Sequence, residues 1–120
     1  MITRFEKYNE NIKSLLVGPT EKEVWDNFKK LSPDQLLLKS SKIGFIKGVK
    51  LALDKGADVH VFEDEPLLAA SENGHTDIVK LLLDRGADVH AKNDLSLQWA
   101  EHNEHTEVAN FLKKYINKNK

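Results

Sequence analysis

The sequence predicts an all-α array: about three stacked helix–turn–helix units, a solenoid, behind a helical N-terminal cap. Three observations carry this. The pentapeptide GADVH occurs at 56–60 and again at 86–90, thirty residues apart. At the same offset LLKSSKIGFIKGVKLALDKGADVH (37–60) falls on LLAASENGHTDIVKLLLDRGADVH (67–90). A third stretch, LQWAEHNEHTEVANFLKKYI (97–116), keeps the register but lacks the GADVH ending. Self-similarity at a fixed period marks an array in which each unit packs on its neighbours instead of around one central core. With 120 residues the chain holds one domain, 1–120. Its parts read as a helical cap (1–31), a first repeat (32–61), a second (62–91) and a capping third (92–120).

From the N-terminus, residues 2–16 suggest a helix with Ile2, Phe5, Ile12, Leu15 and Leu16 apolar. Thr20 and Glu23 have the spacing of a capping box and open a second helix, EKEVWDNFKKL. Val24, Trp25, Phe28 and Leu31 share one face of it. These residues cap the first apolar face of the array; the alternative is that Trp25 or Phe28 faces outward as a partner anchor. Ser32 and Pro33 then start the first helix of the first repeat.

The middle repeat is the clearest. Pro66 follows EDE (63–65) and starts a short helix, roughly 66–73, because proline's missing N–H is not needed in a first turn. Gly74 is its left-handed stop. A second helix, TDIVKLLLD, follows from 76 to 84. Ile78, Val79, Leu81, Leu82 and Leu83 make most of its surface apolar, as expected between two neighbours. Leu81 is assigned to the core, where truncation to Ala costs about 2–5 kcal/mol. After Gly86, ADVH leads out as an extended arm anchored by Val89.

The third repeat looks like a terminal cap. Lys113, Lys114 and Tyr115 stand where the middle repeat has Leu83, Asp84 and Arg85, and Glu104 replaces Gly74. Its last helix, roughly 106–117, ends in the polar NKNK, whose lysines suit a helix C-terminus or form a basic contact tail.

The stretch LLAASENGHTDIVKLLLDRGADVHA closely resembles the ankyrin repeat, with the Gly74–His75 turn, the IVKLLL helix and the GAD bend at that family's spacing. The resemblance is strongest over 61–92. The chain departs from the family in its thirty-residue unit, against about 33, and in Glu65-Pro66-Leu67-Leu68 where Thr-Pro-Leu-His is usual. The missing residues come out of the inter-repeat loop, so a truncated hairpin tip is expected. Repeats of this length are similar to those of large DNA viruses and host-associated microbes.

Composition and motifs narrow the function. Lys plus Arg number 18 against 19 Asp plus Glu, giving no reason to expect nucleic-acid binding. Cysteine is absent, so disulfides and thiolate metal sites are excluded. Glu6 and Glu10 fall where a secretory signal needs an apolar core, and no apolar run approaches the ~20 residues of a membrane span. A soluble intracellular protein is expected, cytoplasmic or nuclear, and in a host cell if the source is a virus or symbiont. Neither GxxxxGK[ST], GxGxxG nor GxSxG is present.

The histidines recur by period, His60 with His90 and His75 with His105, which points to the repeat's own structure. The resemblance implies that the His after the turn Gly fastens adjacent turns, and that His60 and His90 stand where Asn is usual. His102-x-x-His105 arises from the same register, so no metal site is expected. The EDE run reads as a solvated loop, not a calcium site. No cofactor and no enzymatic activity are expected; a hydrolase using His102 is the remote alternative.

What remains is a surface. Residues 32–62 hold five Lys against three acids, and 63–90 hold seven acids against two basic residues. Either these are ordinary solvated faces or a two-toned surface that orients a partner. The resemblance implies protein binding along the concave side. Carried over by register, the loop tips are Phe62, Glu63, Asp64 and Glu65, then Lys92, Asn93 and Asp94. The first-helix positions are Lys39 and Lys42, then Leu68 and Glu72, then Gln98, Trp99 and His102. Phe62 stands where Ser32 and Lys92 stand in the other copies, and is either tucked onto a neighbour or a contact point. Trp99, in register with Lys39 and Ala69, either packs on the preceding repeat or anchors a partner. The expected protein is a monomer or weak homodimer that binds another protein, plausibly a host or defence-pathway component. The alternative is a structural or self-assembling unit that uses the N-terminal helices.

Overall fold

A computed structural model describes residues 20–118. The expected helix over 2–16 lies outside the described residues. Two compact units divide between Lys30 and Leu31.

In the first unit, helix α1 (Glu21–Phe28) opens on the capping box read from sequence: the Thr20 side chain accepts from Glu23 N–H, and the Glu23 carboxylate accepts from Thr20. Trp25 and Phe28 are half-buried, and Lys29 Nζ lies 5.7 Å from the centre of the Trp25 ring.

The second unit is a run of helix pairs. These are α2 (Pro33–Ile43) with α3 (Ile46–Asp54), α4 (Val61–Glu72) with α5 (Thr76–Asp84), and α6 (Ala91–His102) with α7 (Thr106–Lys118). A second capping box, Ser32 with Gln35, starts α2, with Pro33 in its first turn. The first helices α2, α4 and α6 pack closely side by side, whereas α3, α5 and α7 touch at few positions. The array therefore curves with the first helices on its inner side.

The core runs along the join between the two helix layers. Leu36, Leu37, Val49, Ala52, Leu67, Ala70, Ile78, Val79, Leu82, Ala100 and Leu112 have no exposed surface. In α5 the buried stripe is Ile78, Val79, Leu82 and Leu83, and Leu81 is only half-buried. The sequence assigns Leu81 to the core; Leu82 occupies that place. With five apolar residues in six, both phases of the helix look alike from sequence, and packing selects one. In the first repeat, Gly48 stands where Ile78 and Val108 stand in the others, and Ser40 fills the space: a Cβ on Gly48 would lie 2.0 Å from Ser40 Oγ.

Turn glycines have two reasons to be glycine. Gly44 and Gly74 take φ of +84° and +77°, where a Cβ is strained. That Cβ would also strike a histidine of the next repeat, His75 above Gly44 and His105 above Gly74, at 2.6 and 2.5 Å. His75 Nε2 lies 3.1 Å from the Lys42 carbonyl oxygen, so the histidine fastens one repeat to the turn before it, as the resemblance implies. Glu104 holds φ +60° where its two counterparts are glycine.

The inter-repeat segments differ from the extended arm expected. Each folds into a tight turn in which the Asp58 or Asp88 side chain accepts from the N–H of His60 or His90, at 2.9 Å in both copies. The chain then makes a left-handed turn: Phe62, Glu63 and Asp64 have φ of 51°, 56° and 63°, and Lys92, Asn93 and Asp94 have 53°, 60° and 61°. Neither tip is a hairpin of strands. Both lead directly into the right-handed part of α4 or α6.

Candidate functional site

Three consecutive non-glycine residues in the left-handed region cost about 1–2 kcal/mol each, so something must hold the tip. At the second-repeat tip that group is Asp64. Its Oδ1 lies 2.7 Å from His60 Nδ1, and its Oδ2 accepts from the Asp88 N–H at 2.5 Å. Asp34 accepts from the Asp58 N–H at 2.9 Å in the same way, and Asp94 Oδ1 lies 2.5 Å from His90 Nδ1. The aspartates at 34, 64 and 94 and the GADVH segments thus form one ladder along the loop edge. The Asp64 carboxylate raises the His60 pKa above its ordinary 6.5, first through the hydrogen bond and then by charge, with Asp58 and Asp88 adding to it.

Asp64 corrects two expectations. It is 5% exposed, so the EDE run is not wholly solvated and Asp64 does not stand free as a tip contact. The signal was in the register, since 34, 64 and 94 are all Asp at the thirty-residue spacing. Asp94 is half-buried and engaged by His90.

The other positions carried over by register lie on the first helices and on the turns that lead into them. Phe62 is not tucked onto a neighbour: it is 66% exposed. An open groove of about 550 Å³ is lined by Phe62, Glu63, Glu65, Lys92 and Leu38. Leu38 was absent from the sequence reading, although it is in register with Leu68 and Gln98, which were in it. Lys92 Nζ is 3.7 Å from Glu63 Oε2 and ties the two tips together across the groove. Gln98 donates to the Asn93 carbonyl at 2.7 Å and braces the second tip.

Farther along α6 a second groove, about 330 Å³, is lined by Leu95, Gln98, Trp99 and His102. Trp99 is half-buried and meets the His102 ring edge-on at 5.8 Å. Lys39 and Lys42 are exposed on α2; Glu65, Leu68 and Glu72 are half-buried on α4. The structure therefore brings Phe62, Glu63, Glu65 and Lys92 into one groove and Gln98, Trp99 and His102 into another.

Among the described residues no group of three His, Cys, Asp or Glu could hold a metal ion. No helix among them is long and apolar enough to cross a membrane.

Stacked helix pairs, turn glycines roofed by the next repeat's histidine and a periodic loop edge define a repeat protein of the ankyrin type. The ankyrin-repeat family model (three copies) matches residues 4–93 and 36–120, and the chain belongs to that family. The first match begins at residue 4, inside the segment that the thirty-residue register leaves out. The chain has no match among curated proteins. Ankyrin repeats are in general protein–protein interaction modules and typically not enzymes.

Proposed function

We propose that this chain works by stoichiometric binding of a partner protein on the inner side of the repeat array, centred on the second repeat, and that it blocks or recruits that partner without chemistry of its own. One observation carries the reading: Phe62 is 66% exposed at the edge of an open groove. Monomeric proteins tolerate scattered exposed apolar residues, but an aromatic presented on a braced turn beside a groove has the form of an interface anchor. The turn that presents it is fixed by the buried Asp64, so little ordering entropy is lost on binding.

The test is capture of a partner from lysate of the natural source or host cell by the native chain, beside a Phe62→Ala, Glu63→Lys double variant. Asp64 is left intact because its removal would damage the fold that displays the site. A partner held by the native chain and lost by the variant supports the reading. A partner held equally by both moves the site elsewhere. If the source is a virus or symbiont, a host defence component is the expected class of partner.

A further inference from the structure

The inner face of the second repeat carries more than an apolar groove. Glu65, Leu68 and Glu72 follow one another along a single stripe of α4, at spacings of three and four residues, and all three are half-buried. Glu65 and Glu72 make no side-chain hydrogen bond or ion pair among the described residues. Two carboxylates on one stripe without a counter-ion leave this part of the inner face acidic, and cations approaching it are attracted. Glu65 lines the groove beside the apolar Leu38 and Phe62 and the Glu63–Lys92 pair, and Glu72 lies farther along the same stripe. Glu63 is already engaged by Lys92. On α2, alongside, Lys39 and Lys42 are exposed and equally unpaired.

We infer that the partner is engaged through a segment bearing two cationic side chains on either side of an apolar one, with an acidic residue beyond them toward α2. This rests on the inner-side reading above and names the chemistry of its occupant. Seven residues of helix separate Glu65 from Glu72 by about 10 Å. An extended segment with cations four residues apart and an apolar residue midway keeps all three on one face over about 13 Å, a span the flexible Lys or Arg side chains close onto the two carboxylates. The apolar side chain between them falls on Leu68, which lies between the two carboxylates on the stripe, with Leu38 and Phe62 beside Glu65. The unpaired Lys39 and Lys42 set direction, because a basic segment lying the other way round meets like charge.

The experiment is selection of a displayed random-peptide library on the immobilised native chain, followed by fluorescence anisotropy of the enriched peptides against three variants. These are Glu65→Lys with Glu72→Lys, Phe62→Ala, and Lys39→Glu with Lys42→Glu, each first shown to melt like the native chain. The inference expects enriched peptides with Lys or Arg flanking an apolar residue, roughly tenfold or more weaker on the Glu65→Lys, Glu72→Lys variant. Acidic or uncharged peptides that are lost with Phe62→Ala would overturn this inference and leave the inner-side reading standing. Peptides indifferent to all three variants would overturn both. No enrichment, with a chain that sediments as a dimer dissociated by Phe62→Ala, would make the occupant a second copy and overturn it; no enrichment from a monomer overturns it as well.

Discussion

Asp64 and Asp88 are joined across one repeat: the Asp64 carboxylate accepts the Asp88 backbone N–H at 2.5 Å while its other oxygen faces His60 Nδ1 at 2.7 Å. One buried side chain thus closes the GADVH turn that follows and holds the left-handed tip on which Phe62 is displayed. Fold and proposed interface share this residue.

Asp64→Ala is therefore expected to destabilise the chain by about 1–3 kcal/mol, since it strands a backbone N–H and releases the tip. Asp94→Ala, which has only the His90 contact, is expected to cost less. Urea titration of both variants checks the order; equal losses would show that the Asp88 bond contributes nothing.

The same contact makes stability depend on pH. The folded pKa of His60 lies above its unfolded value near 6.5, owing first to the Asp64 hydrogen bond. Its stabilisation is full below 6.5 and is lost as pH rises through the folded value. Relative to a His60→Asn variant, whose side chain does not titrate in this range, the native chain should lose thermal midpoint as pH rises above 6.5. Parallel midpoint curves for the two would refute the linkage.

At the turns, Gly74→Ala should destabilise by about 1 kcal/mol or more, combining a φ of +77° with a Cβ 2.5 Å from His105 Nδ1. Glu104→Gly should stabilise by about 0.5–1 kcal/mol by relieving the φ of +60°. Thermal melts of the two variants check the opposite signs.

For the core, Leu82→Ala should cost about 2–5 kcal/mol and Leu81→Ala clearly less, because Leu82 has no exposed surface and Leu81 is half-buried. Denaturant midpoints followed by far-UV circular dichroism compare them; a larger loss at Leu81 would place α5 in the wrong rotation.

Much of this was legible in the sequence because it is local or periodic. The Thr20–Glu23 capping box, Ser32 and Pro33 at the start of α2, the Gly74 stop and the start of α5 at Thr76 follow from cap chemistry over a few residues, whereas the partner of Ser32 in its box, Gln35, did not stand out. Recurrence marks His75 and His105 as serving the repeat's own structure; that this histidine fastens adjacent turns is what the ankyrin resemblance implies. The left-handed tips were not legible, since no local preference puts Phe62 and Glu63 at positive φ; both tips share a contact from the aspartate to the histidine four residues earlier, and Asp64 adds a bond to Asp88, distant in sequence. Asp64 was hidden by its acidic neighbours Glu63 and Glu65, although its thirty-residue register with Asp34 and Asp94 marked it. On the candidate site, register located Phe62, Glu63, Glu65 and Lys92, but whether Phe62 packs inward or faces water depends on the turn that carries it.

The central claim is that partner binding occupies the inner side of the second repeat. The most direct measurement is the affinity of the captured partner, by isothermal titration, for the native chain and two double variants. Phe62→Ala with Leu68→Asp alters the inner side; Lys47→Glu with Lys50→Glu alters exposed positions of α3 on the other layer. The account predicts a loss of roughly a hundredfold or more for the first, as for removal of an interface anchor, and little change for the second. Unchanged affinity for the first, or a loss confined to the second, would contradict it.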